Sequence, residues 1–272
     1  MGNPITQDEI ERMAKDLSAR IPNDPTPGAL ERLVREILRD QWNDLEFDRL
    51  KRLTKIGIAL SAQPNIDRLF EMIVDEARSL THADGGTLYV VSEDGRYLRF
   101  AIVQNASLDI RMGGTGGEIT WPPVALYGED GQPNVQNVSA YVATSGRIVN
   151  IDDVYEADGF DFQGTRRFDL KTGYRSRSMM VVPMHDHENN AIGVLQLLNA
   201  RDTETGDVIR FSGESETITE ALASQAAVAL TNRRLIQNLQ DLLHAFITAI
   251  ATAIDEKSPY TAGHINRVAE LT

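Results

Sequence analysis

Three features of the sequence predict an α+β fold: an antiparallel sheet flanked by helices, with an N-terminal helical extension and a long C-terminal helix. Apolar residues at helical spacing fill the stretch before residue 81, ahead of any strand signal. Alternating runs joined by short turn signals follow from Gly86. From Glu214 the helical period returns and holds nearly to the end, and strands grouped between helices in this way are the α+β pattern.

Thr6-Gln7-Asp8-Glu9 reads as a capping box, the Thr hydroxyl and the Glu carboxylate satisfying free N–H groups of a first helix that carries Ile10, Met13 and Leu17. Ile21-Pro22-Asn23-Asp24-Pro25 breaks it, and Thr26-Pro27 starts another with Pro at the first helical position. Leu30, Val34, Ile37, Leu38 and Trp42 form its apolar face, and the helical character runs on through Leu50, Leu53 and Leu60. The next amphipathic helix carries Ile66, Leu69, Phe70, Ile73, Ala77 and Leu80, with Asn65 as its cap.

At Gly86 the period becomes two. Thr87 to Val91 alternates, Glu93-Asp94-Gly95 turns, and Tyr97 to Val103 returns antiparallel. Asn105 to Gln136 is rich in Gly and Pro and reads as irregular. A short helix around Val138 to Thr144 leads into an extended Arg147 to Ile151. Phe160 to Gly173 is mostly polar, and a hairpin then pairs Ser178 to Met184 with Ala191 to Leu198 across Asp186 to Asn190.

Composition excludes several functions. The 272 residues carry a net charge of −13, which argues against nucleic acid as a partner and against electrostatic docking on an anionic membrane. With no cysteine, disulfides, zinc–thiolate sites, thiol nucleophiles and thioether-held bilins are ruled out. Met1 to Arg20 has no apolar signal-peptide core, and Ala245 to Ile254, the longest apolar stretch, falls far short of the ~20 residues that span a bilayer. The expectation is a soluble, cytoplasmic protein.

The element order and a set of local segments resemble the GAF domain, a small-molecule-sensing module related to PAS. Those segments are Val138 to Val142, Val149-Asn150-Ile151, Gly159 to Phe162, Thr172 to Ser176 and Ile192 to Leu197. The resemblance implies a GAF/PAS-like sheet over about residues 48–235, after a helical extension at 1–47. Cyclic-nucleotide-binding GAF domains typically carry Asn-Lys followed by Phe-x-x-x-Asp-Glu. Here Asn199, Phe211 and Glu216 match, whereas Ala200 and Ser215 replace the Lys and the Asp. Those two normally form a salt bridge, and losing both orphans no charge. The change weakens the case for cAMP or cGMP, so the implied ligand is an unknown small molecule, with cyclic nucleotides as one candidate class.

Ile218, Leu222, Gln225, Ala229, Asn232, Ile236, Leu239, Leu243, Phe246, Ile250 and Ala253 repeat at alternating spacings of four and three, the seam of a coiled coil. Two readings compete for its first half, which can pack on its own sheet through Ala223, Ala226, Ala227 and Leu230. Beyond Asn232 no sheet is left to cover, and a partner helix fits better. A homodimer through this helix is therefore expected, with 236–256 as a coiled-coil signalling linker.

Ala249 to Lys257 followed by Ser258-Pro259-Tyr260-Thr261-Ala262-Gly263-His264-Ile265-Asn266-Arg267-Val268 resembles the opening of the HD-GYP family. These are metal-dependent bacterial phosphodiesterases that hydrolyse cyclic di-GMP. The resemblance implies that 257–272 begins such a domain, that His264 is its first metal ligand, and that a two-metal centre of iron or manganese exists only in a longer protein. Tyr260 stands where three-metal members carry an extra Glu, which favours two metals. The His-Asp pair and the Gly-Tyr-Pro motif do not occur before Thr272, so the chain as given has no catalytic residues and no cofactor of its own.

Three other segments are weighed. His185-x-His187 puts two imidazoles on one side of an extended segment but has no third ligand near it, and it reads as a solvated turn. Gly113-Gly114-Thr115-Gly116-Gly117 lacks the Lys-Ser/Thr of a phosphate-binding loop and reads as a flexible loop. The candidate ligand site is Phe160 to Arg175, where Phe160, Phe162, Phe168 and Tyr174 accompany Arg166, Arg167 and Arg175. Aromatic rings stack on a flat ligand and Arg clamps an anion. The alternative is that the rings pack the loop on the sheet and the Arg residues offset Asp152, Asp153, Asp158 and Asp161.

Overall fold

The computed structural model describes residues 51–257. The expected helices before residue 51 and the segment with His264 lie outside them. The chain divides into two compact units at Ile58 and Ala59, and the sheet with its helices belongs to the second.

Residues 51–62 are helical (α1) and end in a break at 63–65. Helix α2 (Ile66–Thr81) then starts where Asn65 accepts a hydrogen bond from the Arg68 amide at 2.9 Å, the expected cap. It buries Leu69, Ile73, Val74 and Ala77 and stops at His82, whose left-handed backbone donates back to Arg78. Strands β1 (Ala83–Val91) and β2 (Tyr97–Asn105) form the expected hairpin, with Gly95 at φ 68° in the turn.

The Gly- and Pro-rich stretch is more regular than its composition suggests. It adds β3 (Ile110–Gly113) and β4 (Val124–Ala125), both paired antiparallel to β2. The glycine run read as a flexible loop is pinned. Glu71 of α2 accepts from the Thr115 amide at 2.7 Å and from its hydroxyl at 2.6 Å, and Arg111 pairs with Asp75 at 2.8 Å. Gly113 sits at φ 83°, where a Cβ would collide with the Ala101 carbonyl, so glycine serves close packing here rather than mobility.

Helix α3 (Val138–Ser145) is capped by Asn137, which accepts from the Ser139 and Ala140 amides. After β5 (Val149–Ile151) comes α4 (Gln163–Thr172), in the polar stretch for which the sequence suggested no helix. Its cap residue, Phe162, makes no side-chain capping bond, so the usual start signal is missing. Strands β6 (Met179–His185) and β7 (Ala191–Arg201) form the second hairpin, and β8 (Val208–Ile209) pairs with the end of β7. Helix α5 (Gly213–Lys257) closes the described chain.

The sheet order is β3-β2-β1-β7-β6-β5, antiparallel throughout, with β4 on β2 and β8 on β7. Helix α2 packs on β1 and on α5, and α5 packs on β6, so these two helices cover one face. The other face carries Tyr89, Leu98, Met179, Val181 and Val194 beneath Val138, Ala140, Val142 and Phe162. Successive strand residues point to opposite faces, which puts Gly86 under α2. A Cβ there would lie 2.7 Å from Val74 and 3.0 Å from Arg78. Gly86→Val is therefore expected to destabilise the fold by about 1–3 kcal/mol, read as a lower urea midpoint with an unchanged slope.

Candidate ligand-binding site

The sheet face opposite α2 and α5 is roofed by α3, α4 and the connections around them. Phe160 packs its ring on Tyr141 at 5.4 Å and on Phe162 at 6.2 Å, and Phe162 itself is buried. Helix α4 is fixed from inside by Asp169, a buried carboxylate that accepts from the Tyr155 hydroxyl at 3.0 Å and from the Ser176 amide and hydroxyl at 2.9 Å each. Three bonds of this kind let a carboxylate stay inside.

The four polar members of the predicted cluster point to different partners. Arg175 makes a two-oxygen contact with Asp153 at 3.1 and 3.0 Å and lies 3.6 Å over the Tyr155 ring. Arg166 reaches the Tyr155 carbonyl at 3.3 Å and stands 5.1 Å from the centre of the same ring. Arg167 bonds back to the Gln163 carbonyl of its own helix at 3.4 Å and is exposed. Tyr174 donates to Asp84 at 2.7 Å and accepts from Asn199 at 2.9 Å. The structure thus brings Phe160 with Phe162, and Arg166 with Arg175 around Tyr155, while Tyr174 joins a separate network.

That network centres on Asp84, whose side chain is 3% exposed. Its Oδ1 accepts from Ser107 at 2.8 Å and Arg201 at 3.1 Å, and its Oδ2 from Tyr174. Burial alone would raise the carboxyl, but the hydrogen bonds from Tyr174, Ser107 and Arg201 hold it below the usual carboxylate range. Burial and the neighbouring carboxylate push the Tyr174 phenol upward. Asn199, at φ 54°, extends the network by accepting from the Arg177 amide at 2.7 Å and donating to the Arg175 carbonyl at 2.8 Å.

Apart from Phe168, the sequence reading missed the residues on the floor and rim of this face. Gln196 of β7 accepts from the Ser139 hydroxyl at 3.0 Å and the Tyr89 hydroxyl at 3.3 Å, and burial pushes the Tyr89 phenol up to about 12. From Tyr89 a file of rings runs to the roof: Phe100 at 4.7 Å, then Trp121 at 5.3 Å, then Phe168 of α4 at 5.9 Å. Gln196 inside the apolar run Ile192 to Leu198 was the available signal, because a polar residue in a buried strand implies a partner on the same face. Trp121 had none, since it lies in the irregular stretch.

His187 is largely exposed and lies 3.9 Å from Glu188 in the β6–β7 turn. No group of three metal-binding side chains occurs among the described residues. Nor is any helix among them long and apolar enough to cross a membrane.

A central antiparallel sheet with two packed helices on one face and short helices with their connections over the other defines an α+β module. The GAF domain model matches residues 65–230, and the chain belongs to that family of regulatory modules. It is similar to the cGMP-specific 3′,5′-cyclic phosphodiesterase of Drosophila sechellia, 22% identical over 210 residues, 75% of this chain and 14% of that protein. The Drosophila mojavensis protein of the same description is 22% identical over 246 residues, 87% of this chain and 19% of its own length. The chain therefore spans less than a fifth of the curated relatives it matches. Among solved structures, the GAF domain of a phosphoenolpyruvate-protein phosphotransferase from Coxiella burnetii aligns with a TM-score of 0.50 at 14% identity, covering 71% of this chain and 98% of that one.

The Asp84 network sets a pH dependence. A carboxyl whose folded value is depressed contributes stability that is fully present above its unfolded value, ~3.9, and is lost as pH falls through the folded value. Asp84→Asn is expected to lower stability at neutral pH and to flatten the acid limb below that point, as measured by urea unfolding at a series of pH values. An acid limb as steep as that of the unaltered protein would remove Asp84 as its source.

Proposed function

We propose that this chain is the sensor and transmitter portion of a bacterial HD-GYP cyclic di-GMP phosphodiesterase. In this reading the GAF domain takes a small molecule on the face under α4. The chain dimerises through α5, which carries the ligand state toward a metal-dependent hydrolase domain opened by His264 at 257–272. The motif around His264 supports that last step, and iron or manganese is the chemistry the longer protein would supply.

The observation that carries the reading is the division of α5. Its first turns are part of the domain core, with Leu222, Ala223, Ala226, Ala227 and Leu230 buried. Its later turns present Leu235, Ile236, Leu239, Leu242, Leu243, Phe246, Ile247 and Ile250, each 45 to 67% exposed. A continuous apolar face of that size is rarely left to water. At 1.5 Å per residue, a rigid helix running on from Leu230 to Lys257 reaches about 40 Å further.

A second reading, a cyclic-nucleotide sensor, is favoured by the similarity to cGMP-specific phosphodiesterases and by Asn199, Phe211 and Glu216. Phe211 is a core residue, and Glu216 accepts from Asn150 at 3.3 Å. Both roles hold the fold without any ligand.

Thermal unfolding with cAMP, cGMP and cyclic di-GMP separates the readings. A ligand at 100 times its dissociation constant adds ~2.7 kcal/mol. A shift with cAMP or cGMP alone supports the second reading, and a shift with neither, together with a small molecule retained through purification, supports the first. For the transmitter, Leu239→Asp combined with Leu243→Asp is expected to convert a dimer into a monomer in sedimentation equilibrium while leaving the sheet's circular dichroism unchanged. A monomer before substitution, at high concentration, would end the dimer proposal.

A further inference from the structure

A cleft of about 1060 Å³ runs along the β2 edge of the sheet, between the start of α2, the outer end of the β1–β2 hairpin, the stretch before β4 and α5. That volume is just above the range typical of small-ligand pockets, ~300–1,000 Å³. Three features of its walls point to one kind of occupant.

The first is charge without pairing. Arg99 of β2 and Arg234 of α5 line the cleft, and among the described residues neither side chain makes a hydrogen bond or an ion pair. Arg234 is half-buried, and burial and the nearby Arg99 both work against its charge, with Glu93 the one opposing influence. Asp67 and Glu93 line the same cleft and are likewise unpaired among the described residues. The site therefore offers anion donors and carboxylate acceptors together, and a bare anion finds little net attraction there.

The second is a flat apolar surface. Trp121 lines the cleft, is 37% exposed, and meets Phe100 at 87°, edge to face. A planar ring has room to stack against it. The third is an unfinished sheet edge. Strand β3 pairs with β2 from Ile102 onward and β4 pairs at Tyr97 and Leu98, so Arg99, Phe100 and Ala101 have no recorded ladder partner on that edge. All three line the cleft, which leaves it backbone groups to satisfy.

We propose that this cleft is a second ligand site, which shares Val91, Phe100 and Trp121 with the face under α4 but is lined by no residue of α4 itself, for a small molecule that joins a planar ring to one anionic group and carries hydrogen-bond donors. The anionic group lies between Arg99 and Arg234, the ring lies on Trp121, and Glu93 and Asp67 accept the donors. A ring-bearing monophosphate has this chemistry. Arg234 directly precedes the exposed face of α5, so an occupant ties the exit of that helix to α2 and the sheet. The proposal does not depend on the HD-GYP reading or on what binds under α4.

The test uses the whole chain with Trp42→Phe, so that emission reports Trp121 alone. Adenosine 5′-monophosphate, adenosine and inorganic phosphate are titrated against it. The expected result is saturable change with the monophosphate, at least tenfold weaker binding of adenosine, and none of phosphate. Arg99→Ala and Arg234→Ala should each weaken the monophosphate at least tenfold, while Arg166→Ala on α4 leaves it unchanged. Arg99 is exposed, so its removal leaves the fold intact even if Arg234→Ala does not. The proposal is overturned by no response to the monophosphate at millimolar concentration, by equal binding of adenosine, or by binding that survives Arg99→Ala and is lost with Arg166→Ala.

Discussion

The buried carboxylate of Asp84 ties together chain segments that are far apart in sequence. A charge taken out of water is tolerated only where hydrogen bonds replace its hydration. Meeting that requirement draws in Ser107 after β2, Tyr174 before β6 and Arg201 at the end of β7, while Arg78 of α2 reaches the Asp84 carbonyl at 3.1 Å. Arg201 also donates to Ser107 at 2.7 Å and to the Gly206 carbonyl at 3.1 Å, so the same pair sets the turn before β8. Four chain segments far apart in sequence converge on one residue at the start of the central strand. The position of Tyr174, and with it the anchoring of the stretch from α4 to β6, follows from that demand.

What could be read in the sequence is what periodicity encodes. Helix α2 with its Asn65 cap and the β1–β2 and β6–β7 hairpins show a repeat of 3.6 or two residues next to a cap or turn signal, and all are present. Helix α4 was not legible. Its residues are polar, its cap is a Phe, and its anchor is Asp169, whose partners are distant in the chain or beyond the helix end. Strands β3 and β4 were hidden by glycines that read as looseness. Gly113 is there because Ala101 comes too close for a side chain.

The candidate site was half legible for a related reason. Composition located a cluster of rings and Arg residues between Phe160 and Arg175, but it cannot say which way each side chain faces. Arg175 faces Asp153, the kind of pairing the competing packing reading named, whereas Arg166 faces Tyr155. The polar floor at Gln196 and Ser139 and the ring file through Trp121 depend on contacts across more than fifty residues or through an irregular segment. A ligand entering this face meets well-packed rings. The Trp121–Phe168 contact joins the stretch before β4 to α4.

Either occupied face reaches α5 by a short physical route. On the roofed side, β5 carries Asn150, which donates to the Phe211 carbonyl at 3.2 Å and to Glu216 at 3.3 Å, so a shift of β5 is felt in the first turn of α5. At the β2 edge the cleft touches α5 directly at Arg234 and Asn238, where the helix leaves the core. A ligand biases a conformational equilibrium only by its differential affinity for the two states. The proposed roof ligand would exert that difference through a strand and two hydrogen bonds at the buried start of the helix. The proposed cleft ligand would exert it at the point where the buried turns give way to the exposed apolar face. Two such inputs reinforce one another if both ligands prefer the same position of α5 and oppose one another if they prefer different ones.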